Sequence, residues 1–433
     1  MAHTVLSRRT MLGLLTTAAS CPRVFAAPLA TSRADFLEDL SRRAFLYFWE
    51  RASTATGLVL DRAVNSDNAD SRNVASCAAT GFGLTALCIA AKRGWMDRER
   101  LRQRALTTLD HFANQAAHEQ GWFYHFVNAH TGERVWNSEI SSIDTALLLG
   151  GVLTARQFFN DAEITRLADK IYGRVDFRWM LDGHPTLLCH GWKPESGFLG
   201  CRWDSYSEHS ILHLLALGSP SLTIPAEAWY AWRRPRISYA GINYLGGPTL
   251  FVHQYSHAWV DFRHLHEAEG AGIDWFANSV NATLAHRAFC IDLGMTEFPG
   301  CYDANQWGIT SSDSAKGYVA WGGPPRHPAI DGSIVPCAAA GSLMFTPELC
   351  LDALTTMKQR FGDRIWNRYG FCDAFHPLNG WTAPDVLGID LGITLLSAEN
   401  ARSGSVWQWF MQNEPIRRAL SIANIVDKTG KFA

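Results

Sequence analysis

Apolar residues recur at helical spacing along most of this chain, and polar, Gly- and Pro-rich segments separate the periodic runs. In the first run Phe36, Leu40, Phe45 and Phe48 fall close to the 3.6-residue period of one helix face. The same pattern predicts helices over residues 34–51, 73–93, 97–115, 142–159, 164–180, 206–217, 225–234, 253–264, 273–294, 346–361 and 406–411.

Strand signals are few and short, at residues 57–60, 122–127 and 242–251. The chain shows no βαβ alternation, no strong repeat and no Pro/Ser-rich linker, and its longest loop covers 298–336. Roughly eleven or twelve paired helices predict an all-α (α/α)6 toroid: six helical hairpins with long loops and a few short β-hairpins. We expect residues 27–433 to form this single domain.

Composition narrows the classes of function. Charged residues make up 18% of the chain, aromatic residues 12%, and formal charge is 39 − 41 = −2. This excludes a disordered chain and gives no basic field for nucleic acid. The 17 tryptophans are unusual, and six in Gly- and Asp-rich loops predict a sugar-stacking cleft. These are Trp122, Trp192, Trp203, Trp307, Trp321 and Trp381.

The N-terminus has the pattern of an export signal. Arg8-Arg9 precedes a short apolar run, and Val24-Phe25-Ala26 fits a cleavage site. We therefore expect residues 1–26 to be a twin-arginine signal and the mature protein to be periplasmic or secreted. No later segment has the 18 or more apolar residues of a membrane span, and we expect a monomer.

The cysteines do not indicate a metal site. They form no CxxC pair and no zinc-type spacing. Pairing of Cys189 with Cys201, or of Cys290 with Cys301, stays open in an oxidising compartment, and buried free thiols are the alternative.

Glu208 has the surroundings of a general acid. It follows Trp203 and Tyr206 and precedes an apolar helical run. Aromatic neighbours desolvate a carboxyl group and raise its pKa, which keeps it protonated for a leaving glycosidic oxygen. The alternative is a first-turn acid stabilised by the helix dipole.

Two further acids flank the start of another apolar helix. Glu139 and Asp144 are five residues apart, so they do not share one face of a continuous helix. We expect Glu139 in the loop and Asp144 in the helix. They would activate water or bind a sugar hydroxyl, and the alternatives are helix capping and buried hydrogen bonding.

Two polar clusters complete the candidate site. His253, His257 and Asp261 lie four residues apart, but their rise of about 12 Å is too long for one ion to reach both ends. A two-histidine metal site stays open, and hydrogen bonding to substrate or to neighbouring helices is favoured. Asp313 and Trp321 lie in the 298–336 loop, and a loop of that length is usually functional.

These clusters resemble a known family, the bacterial glycoamylase-like proteins, which include the β-1,2-glucanases of glycoside hydrolase family 144. The matching segments include Trp203-Asp204-Ser205-Tyr206-Ser207-Glu208 and residues 45–50, 57–62, 123–126, 139–148, 250–257, 307–313, 331–336, 389–392 and 399–404. The resemblance implies an (α/α)6 toroid, hydrolysis of β-1,2-glucan with inversion, Glu208 as the acid and Glu139 as its partner. Related modules in cyclic glucan synthases are transglycosylases.

The sequence therefore predicts an exported glycoside hydrolase that cleaves β-1,2-glucan or sophorooligosaccharides without a cofactor or metal. Glu208 donates a proton, and Glu139 and Asp144 position or activate water. The predicted sugar-binding residues are Arg62, Trp203, Asp204, Tyr206, His253, Gln254, His257, Asp313 and Trp321. Two alternatives stay open: a β-1,2-glucan transglycosylase and a non-catalytic periplasmic glucan-binding protein. A uronate lyase is disfavoured, because it would need a cationic cleft.

Overall fold

A computed structural model describes residues 32–270, 272–427 and 429–430 of the chain. The predicted export signal at residues 1–26 lies outside the described residues. The α-helices of the described part are α1 Arg33–Glu50, α2 Cys77–Arg93, α3 Arg98–Asn114, α4 Ser142–Phe159, α5 Ala162–Gly173, α6 Ser210–Leu217, α7 Tyr255–Trp259, α8 Trp275–Met295, α9 Pro336–Ala340, α10 Pro347–Phe361, α11 Gly388–Ser403, α12 Ser405–Met411 and α13 Glu414–Ile422.

Short strands lie between the helices and pair mostly in twos. They are β1 Arg62–Val64, β2 Val74–Ser76, β3 His118–Glu119, β4 Trp122–Phe123, β5 Phe126–Asn128, β6 Ile140–Ser141, β7 Gly191–Lys193, β8 Gly197–Phe198, β9 Arg236–Tyr239, β10 Ile242–Leu245, β11 Leu265–Glu267, β12 Ser312–Ser314, β13 Gly317–Val319, β14 Trp366–Asn367, β15 Gly370–Phe371, β16 Asp385–Leu387 and β17 Ile425–Asp427. All of the pairings are antiparallel, and β6, β7 and β8 form a three-stranded sheet.

The helices are of two kinds, which differ in burial. Helices α2, α4, α6, α9 and α11 bury nearly every residue, whereas α1, α3, α5 and α10 bury one stripe and expose polar residues. A helix that is buried all round belongs to the interior, and a helix with one apolar stripe covers it. Along the chain an outer helix precedes an inner one, which confirms the predicted α/α toroid.

The inner helices α2 and α4 pack so closely that glycines are required between them. A Cβ atom on Gly81 would lie 2.3 Å from the carbonyl oxygen of Leu147, and one on Gly151 would lie 2.0 Å from the carbonyl oxygen of Gly81. No side chain can take that space, so larger residues here would push the two helices apart.

The ring closes between distant parts of the chain. Strand β1 pairs with β16, with Arg62 opposite Leu387, and both α1 and α2 pack against α11. This closure brings the loop of the chain's first helical hairpin, between α1 and α2, to the N-terminal end of the last inner helix.

Several elements differ from the prediction. Helix α11 was missed, because buried polar residues, among them Asp390, Glu399 and Asn400, interrupt its apolar pattern. The helix predicted over 253–264 is only the five-residue α7, because Val260 turns to extended geometry at its C-terminal end and Leu250–His253 form a separate 3₁₀ turn before it. The helix predicted over 225–234 is a single 3₁₀ turn, Ala226–Trp229, so the hairpin that contains α7 has no full outer helix before it.

The structure also bears on the cysteine pairings and on the membrane-spanning segments considered above. Cys189, Cys201, Cys290 and Cys301 are free thiols, so neither of the pairings left open is formed. Among residues 32–270, 272–427 and 429–430, no helix has the length and the apolar character needed to cross a bilayer.

Candidate active site

The N-terminal ends of several inner helices surround one cleft of about 310 Å³. Ser76 caps α2 by accepting the backbone N–H of Ala79, and Ser141 caps α4 by accepting that of Asp144. The cleft lies in front of these caps and of the start of α11. Its lining consists of Asp61, Arg62, Ser76, His125, Phe126, Trp136, Asp144, Tyr318, Leu387 and Ile389.

His125 joins two carboxylates at one wall of this cleft. Its Nδ1 lies 3.0 Å from Oε1 of Glu139, and its Nε2 lies 3.4 Å from Oδ1 of Asp144. Burial works against the imidazolium, but the charges of Asp144, Glu139 and Asp61 outweigh it and raise the pKa of His125. The wall is therefore a chain of acid, imidazole and acid, in which the neighbouring acids favour the protonated imidazole.

Glu139 stays ionised because of this histidine. The hydrogen bond from His125 is the largest influence, and it lowers the pKa of Glu139 to about 2. Its backbone is fixed as well: the His125 N–H donates to the Glu139 carbonyl over 2.9 Å. A Cβ at residue 191 would lie 2.3 Å from the carbonyl of Ile140 and 3.1 Å from Cγ of Glu139. Gly191 therefore allows β7 to pass close to this acid.

Asp144 sits in the first turn of α4 and lines the cleft. The hydroxyl of Ser141 donates to Asp144 Oδ2 and accepts the Asp144 backbone N–H, so the two residues cap the helix reciprocally. One carboxylate oxygen is thus held by Ser141, and the other faces His125. The structure confirms the predicted arrangement of Glu139 in the loop and Asp144 in the helix.

Glu208 occupies the corresponding position before α6, in the opposite electrostatic setting. It is partly buried, and its desolvation raises its pKa, with the negative charge of Asp144 contributing to the rise. The Ser207 hydroxyl donates to Oε2, which opposes the rise but does not cancel it. Ser256 fixes the backbone by donating to the Glu208 carbonyl over 2.5 Å.

Arg62 and Asp313 form a second polar wall. The Arg62 guanidinium lies 3.1 Å from Asp313 and 3.1 Å from Asp61. Asp61 also lines the cleft, and burial raises its pKa against the opposing charge of Arg62. Asp313 lies on β12, so this ion pair fixes the β12–β13 hairpin over the cleft.

Two buried acids lie beneath that hairpin. The backbone N–H of Asp313 donates to Oδ2 of Asp373 over 2.7 Å. Asp373 and Asp390 line a small cavity of about 20 Å³, which is enough for one water molecule. Burial raises the pKa of both carboxyls, so the pair holds a proton at a pH where exposed aspartates have none.

Three predicted sugar-binding residues have partners inside the protein instead. Gln254 donates to the carbonyl of Ala338 and to Ser342, whereas His253 bonds the Tyr206 hydroxyl at 3.0 Å and His257 bonds Ser279 at 3.0 Å. All three are at most 3% exposed. Burial lowers the pKa of each of these histidines to about 3, so they are neutral. They join helices, and we withdraw their assignment to sugar.

Trp203, Tyr206 and Asp204 also lie away from the cleft lining. Trp203 stacks on His190 and donates its indole N–H to Ser142 over 2.9 Å. Tyr206 is buried against Trp275 with ring centroids 5.4 Å apart. Asp204 is exposed and pairs with Arg233 at 3.1 Å. Trp203 and Tyr206 therefore shape the interior behind Glu208, because buried rings have no face free for a pyranose.

The six loop tryptophans are all absent from the cleft lining, so the predicted cleft of loop tryptophans is wrong. Trp122, Trp307 and Trp321 are fully buried, and Trp321 donates to Ser312 over 2.9 Å, which supports β12 from below. Two other rings, Trp136 and Tyr318, line the cleft with more than half of each side chain exposed. Sequence reasoning noted Tyr318 as a ring of the 298–336 loop but missed Trp136, because the sequence does not show which loop rings lie together in space.

Asp61 and His125 were also absent from the predicted site. Asp61 could have been found from its neighbour Arg62, and His125 from its place in the aromatic segment 123–126. In the part of the chain that the structure describes, no group of three or more His, Cys, Asp or Glu side chains is arranged to hold a metal ion.

Known proteins resemble both the sequence and the fold. The family model "Glycoamylase: Putative glucoamylase" matches residues 200–414. A relative from Parabacteroides distasonis, an "exo beta-1,2-glucooligosaccharide sophorohydrolase (non-reducing end)", is 26% identical over 426 residues. That alignment covers 89% of this chain and 57% of the relative, so the chain spans little more than half the relative's length.

Solved structures match over nearly the whole chain. The endo-β-1,2-glucanase from Chitinophaga pinensis, determined with sophorotriose and glucose, superposes with a TM-score of 0.84 at 27% identity, covering 92% of this chain and 99% of its own. A "putative glucoamylase" from Bacteroides uniformis gives a TM-score of 0.84 at 27% identity, covering 92% and 98%. Together with the family model, these matches confirm the resemblance to the glycoamylase-like family that the sequence motifs predicted.

Proposed function

We propose that this chain is a glycoside hydrolase that cleaves β-1,2-glucan or sophorooligosaccharides by acid–base catalysis with inversion. One observation carries the proposal: two carboxyl groups whose pKa values are shifted in opposite directions both lie close to Asp144, which lines the cleft. Glu208 has a raised pKa, and Glu139 has a pKa of about 2. When their environments shift the pKa values of two carboxyl groups in opposite directions, one group is suited to be the acid of a glycosidase and the other its charged partner.

In the proposed reaction Glu208 donates its proton to the leaving glycosidic oxygen. Its desolvated setting raises its pKa, which favours the protonated form that a general acid needs. Asp144, which lines the cleft, activates the water that attacks the anomeric carbon. Inversion needs room for this water between the two carboxyls, roughly 6.5–9.5 Å.

Glu139 and His125 support Asp144 from behind. With a pKa of about 2, Glu139 is too weak a base to take a proton from water efficiently, because a good general base has a pKa near the working pH. Its proposed role is to fix the His125 ring, which in turn fixes the second oxygen of Asp144. The negative charge of this wall also favours the positive character that develops on the sugar ring.

The substrate class rests on the relatives. The C. pinensis enzyme is an endo-β-1,2-glucanase, and the P. distasonis relative is a sophorohydrolase. The β-1,2 linkage is the substrate feature that these two names share. Arg62 and Asp313 supply donors and acceptors for sugar hydroxyls at the opposite wall.

The test is to incubate the purified chain with linear β-1,2-glucan and, in parallel, with β-1,3-, β-1,4- and α-1,4-glucans. We expect shorter products from the β-1,2-glucan alone, with the inverted α-anomer as the first product in the NMR spectrum. Longer or cyclic products would show that the chain is a transglycosylase and not a hydrolase. Binding without any cleavage would make the chain a glucan-binding protein and overturn the proposal.

We also propose that the protein acts outside the cytoplasm, in the periplasm or after secretion, and as a monomer. The support for export is the Arg8-Arg9 signal pattern. Fractionation of cells that express the full chain, with and without an Arg8→Lys, Arg9→Lys double substitution, tests this location, and retention of the wild-type chain in the cytoplasm would contradict it.

A further inference from the structure

Trp136 is an exposed ring at the edge of the cleft. Its side chain is 66% exposed, and it is one of five large apolar side chains with substantial exposure in the described part of the chain. Two of these five, Trp136 and Tyr318, line the same cavity. Exposed apolar side chains that cluster beside a cavity are a mark of a binding surface.

The backbone adopts an unfavourable conformation to present this ring. Trp136 has a φ of 56° and Asn137 a φ of 49°, so two successive residues other than glycine are left-handed. For a bulky residue such as Trp this is a genuine outlier. Such outliers persist where the surrounding structure enforces them, commonly at ligand sites.

Arg134 supplies that enforcement. Its Nε donates to the Ser138 carbonyl over 2.5 Å, which spans the two left-handed residues. Its terminal nitrogens pair with both carboxylate oxygens of Glu195 at 2.5 and 3.0 Å, and the guanidinium lies 5.1 Å from the ring centre of Tyr124. The turn is therefore fixed at three points.

A row of rings connects Trp136 to the carboxylates. Trp136 contacts Phe126 edge to face, with ring centroids 5.2 Å apart. Phe126 stacks on His125 at 3.7 Å, and His125 touches Glu139 and Asp144. The row of contacts thus places Trp136 in the same cleft as Asp144, with two rings between them.

We propose that Trp136 is a substrate-contacting residue that stacks on a glucosyl unit at one end of the cleft and so sets the preference for longer chains. The apolar face of a pyranose fits an exposed indole. This inference rests on the proposed glucan hydrolysis, and it assigns to Trp136 the role that the buried loop tryptophans cannot fill.

The test compares Trp136→Ala with Trp136→Phe and a matched control. We expect Trp136→Ala to raise KM for long β-1,2-glucooligosaccharides by about 10-fold to 100-fold. Its kcat should stay within about threefold, because the ring does not touch the reacting atoms. Trp136→Phe keeps a stacking face and should recover most of the affinity. Leu378→Ala removes an equally exposed side chain outside the cleft lining and should change neither constant.

A binding measurement separates this inference from the proposed activity. Oligosaccharides of increasing length are titrated into the Glu208→Gln protein, and tryptophan fluorescence is followed with and without Trp136→Phe. Loss of most of the fluorescence change in the double variant supports stacking. Equal KM values for wild type and Trp136→Ala in an active enzyme overturn it. A shift in oligomeric state with unchanged sugar affinity overturns it too, in favour of a protein interface. An inactive wild type refutes the proposed function instead.

Discussion

The loops before α4 and α6 hold the same position in the fold, yet their acids, Glu139 and Glu208, have pKa values shifted in opposite directions. Glu139 and Glu208 each precede a buried inner helix by a few residues, α4 in one case and α6 in the other. Glu139 has His125 as a charged partner, whereas Glu208 has the neutral Ser207 hydroxyl. The protonation state of a carboxyl before a helix is therefore decided by its side-chain neighbours and its desolvation, and helix position alone does not predict it.

The largest effect is expected at Glu208. Glu208→Gln keeps the size of the side chain but has no proton to give, so kcat should fall by about 10²–10⁴-fold. Steady-state kinetics on β-1,2-glucan measure this, and substrate binding should persist. The matched control is Asp204→Asn, a nearby exposed acid paired with Arg233, which should leave kcat unchanged. A Glu208→Gln enzyme with normal turnover would show that the proton comes from another group.

A smaller effect, with a distinctive pH dependence, is expected at His125. His125→Asn removes the imidazole whose hydrogen bond lowers the pKa of Glu139 from 4.5 to about 2. In the variant this pKa should return towards 4.5. The negative charge of Glu139 favours the positive character that develops on the sugar ring, and this charge is lost as pH falls through the pKa, so the acidic limb of kcat/KM should move upwards in pH. We expect a kcat loss of about 10-fold to 100-fold at neutral pH.

Glu139→Gln provides the control for that shift. It keeps a hydrogen-bond acceptor for His125 but has no charge to titrate. Its acidic limb should therefore not follow the His125→Asn profile. If both variants kept the wild-type limb, the His125 chain would have a structural role only.

The smallest effect is expected at Ser207. Its hydroxyl donates to Glu208 and lowers the pKa of that acid. Ser207→Ala should raise the Glu208 pKa further, so the basic limb of the rate profile should move upwards by a fraction of a pH unit. The kcat should change by only a few-fold. A downward shift of the basic limb would contradict this assignment, and unfolding midpoints of both proteins check that the fold is intact.

Much of the fold could be predicted from the sequence, because outer helices such as α1 and α3 carry simple apolar stripes. Helix α4 matches its predicted bounds, since its residues are apolar almost throughout. Helix α11 could not be found in this way. Its buried Asp390, Glu399 and Asn400 have hydrogen-bond partners in distant parts of the chain. A local sequence pattern cannot show those partners.

The site was less predictable than the fold. Glu139, Asp144 and Arg62 were found because acids and bases beside apolar helices are visible in the sequence. The aromatic rings were not, because loop position does not reveal depth. Trp321 and Trp136 both lie in loops, yet the first is 1% exposed and the second 66% exposed. That difference is created by long-range packing.

The pairing of β1 with β16 has a consequence for biosynthesis. Arg62, on β1, takes its place beside the cleft only when β16 near the C-terminus joins it, and the α1–α11 contact depends on the same closure. Loop closure over such a separation is slow relative to local helix formation. During translation the early hairpins can therefore form helices, but the assembled cleft appears only after the last inner helix has left the ribosome.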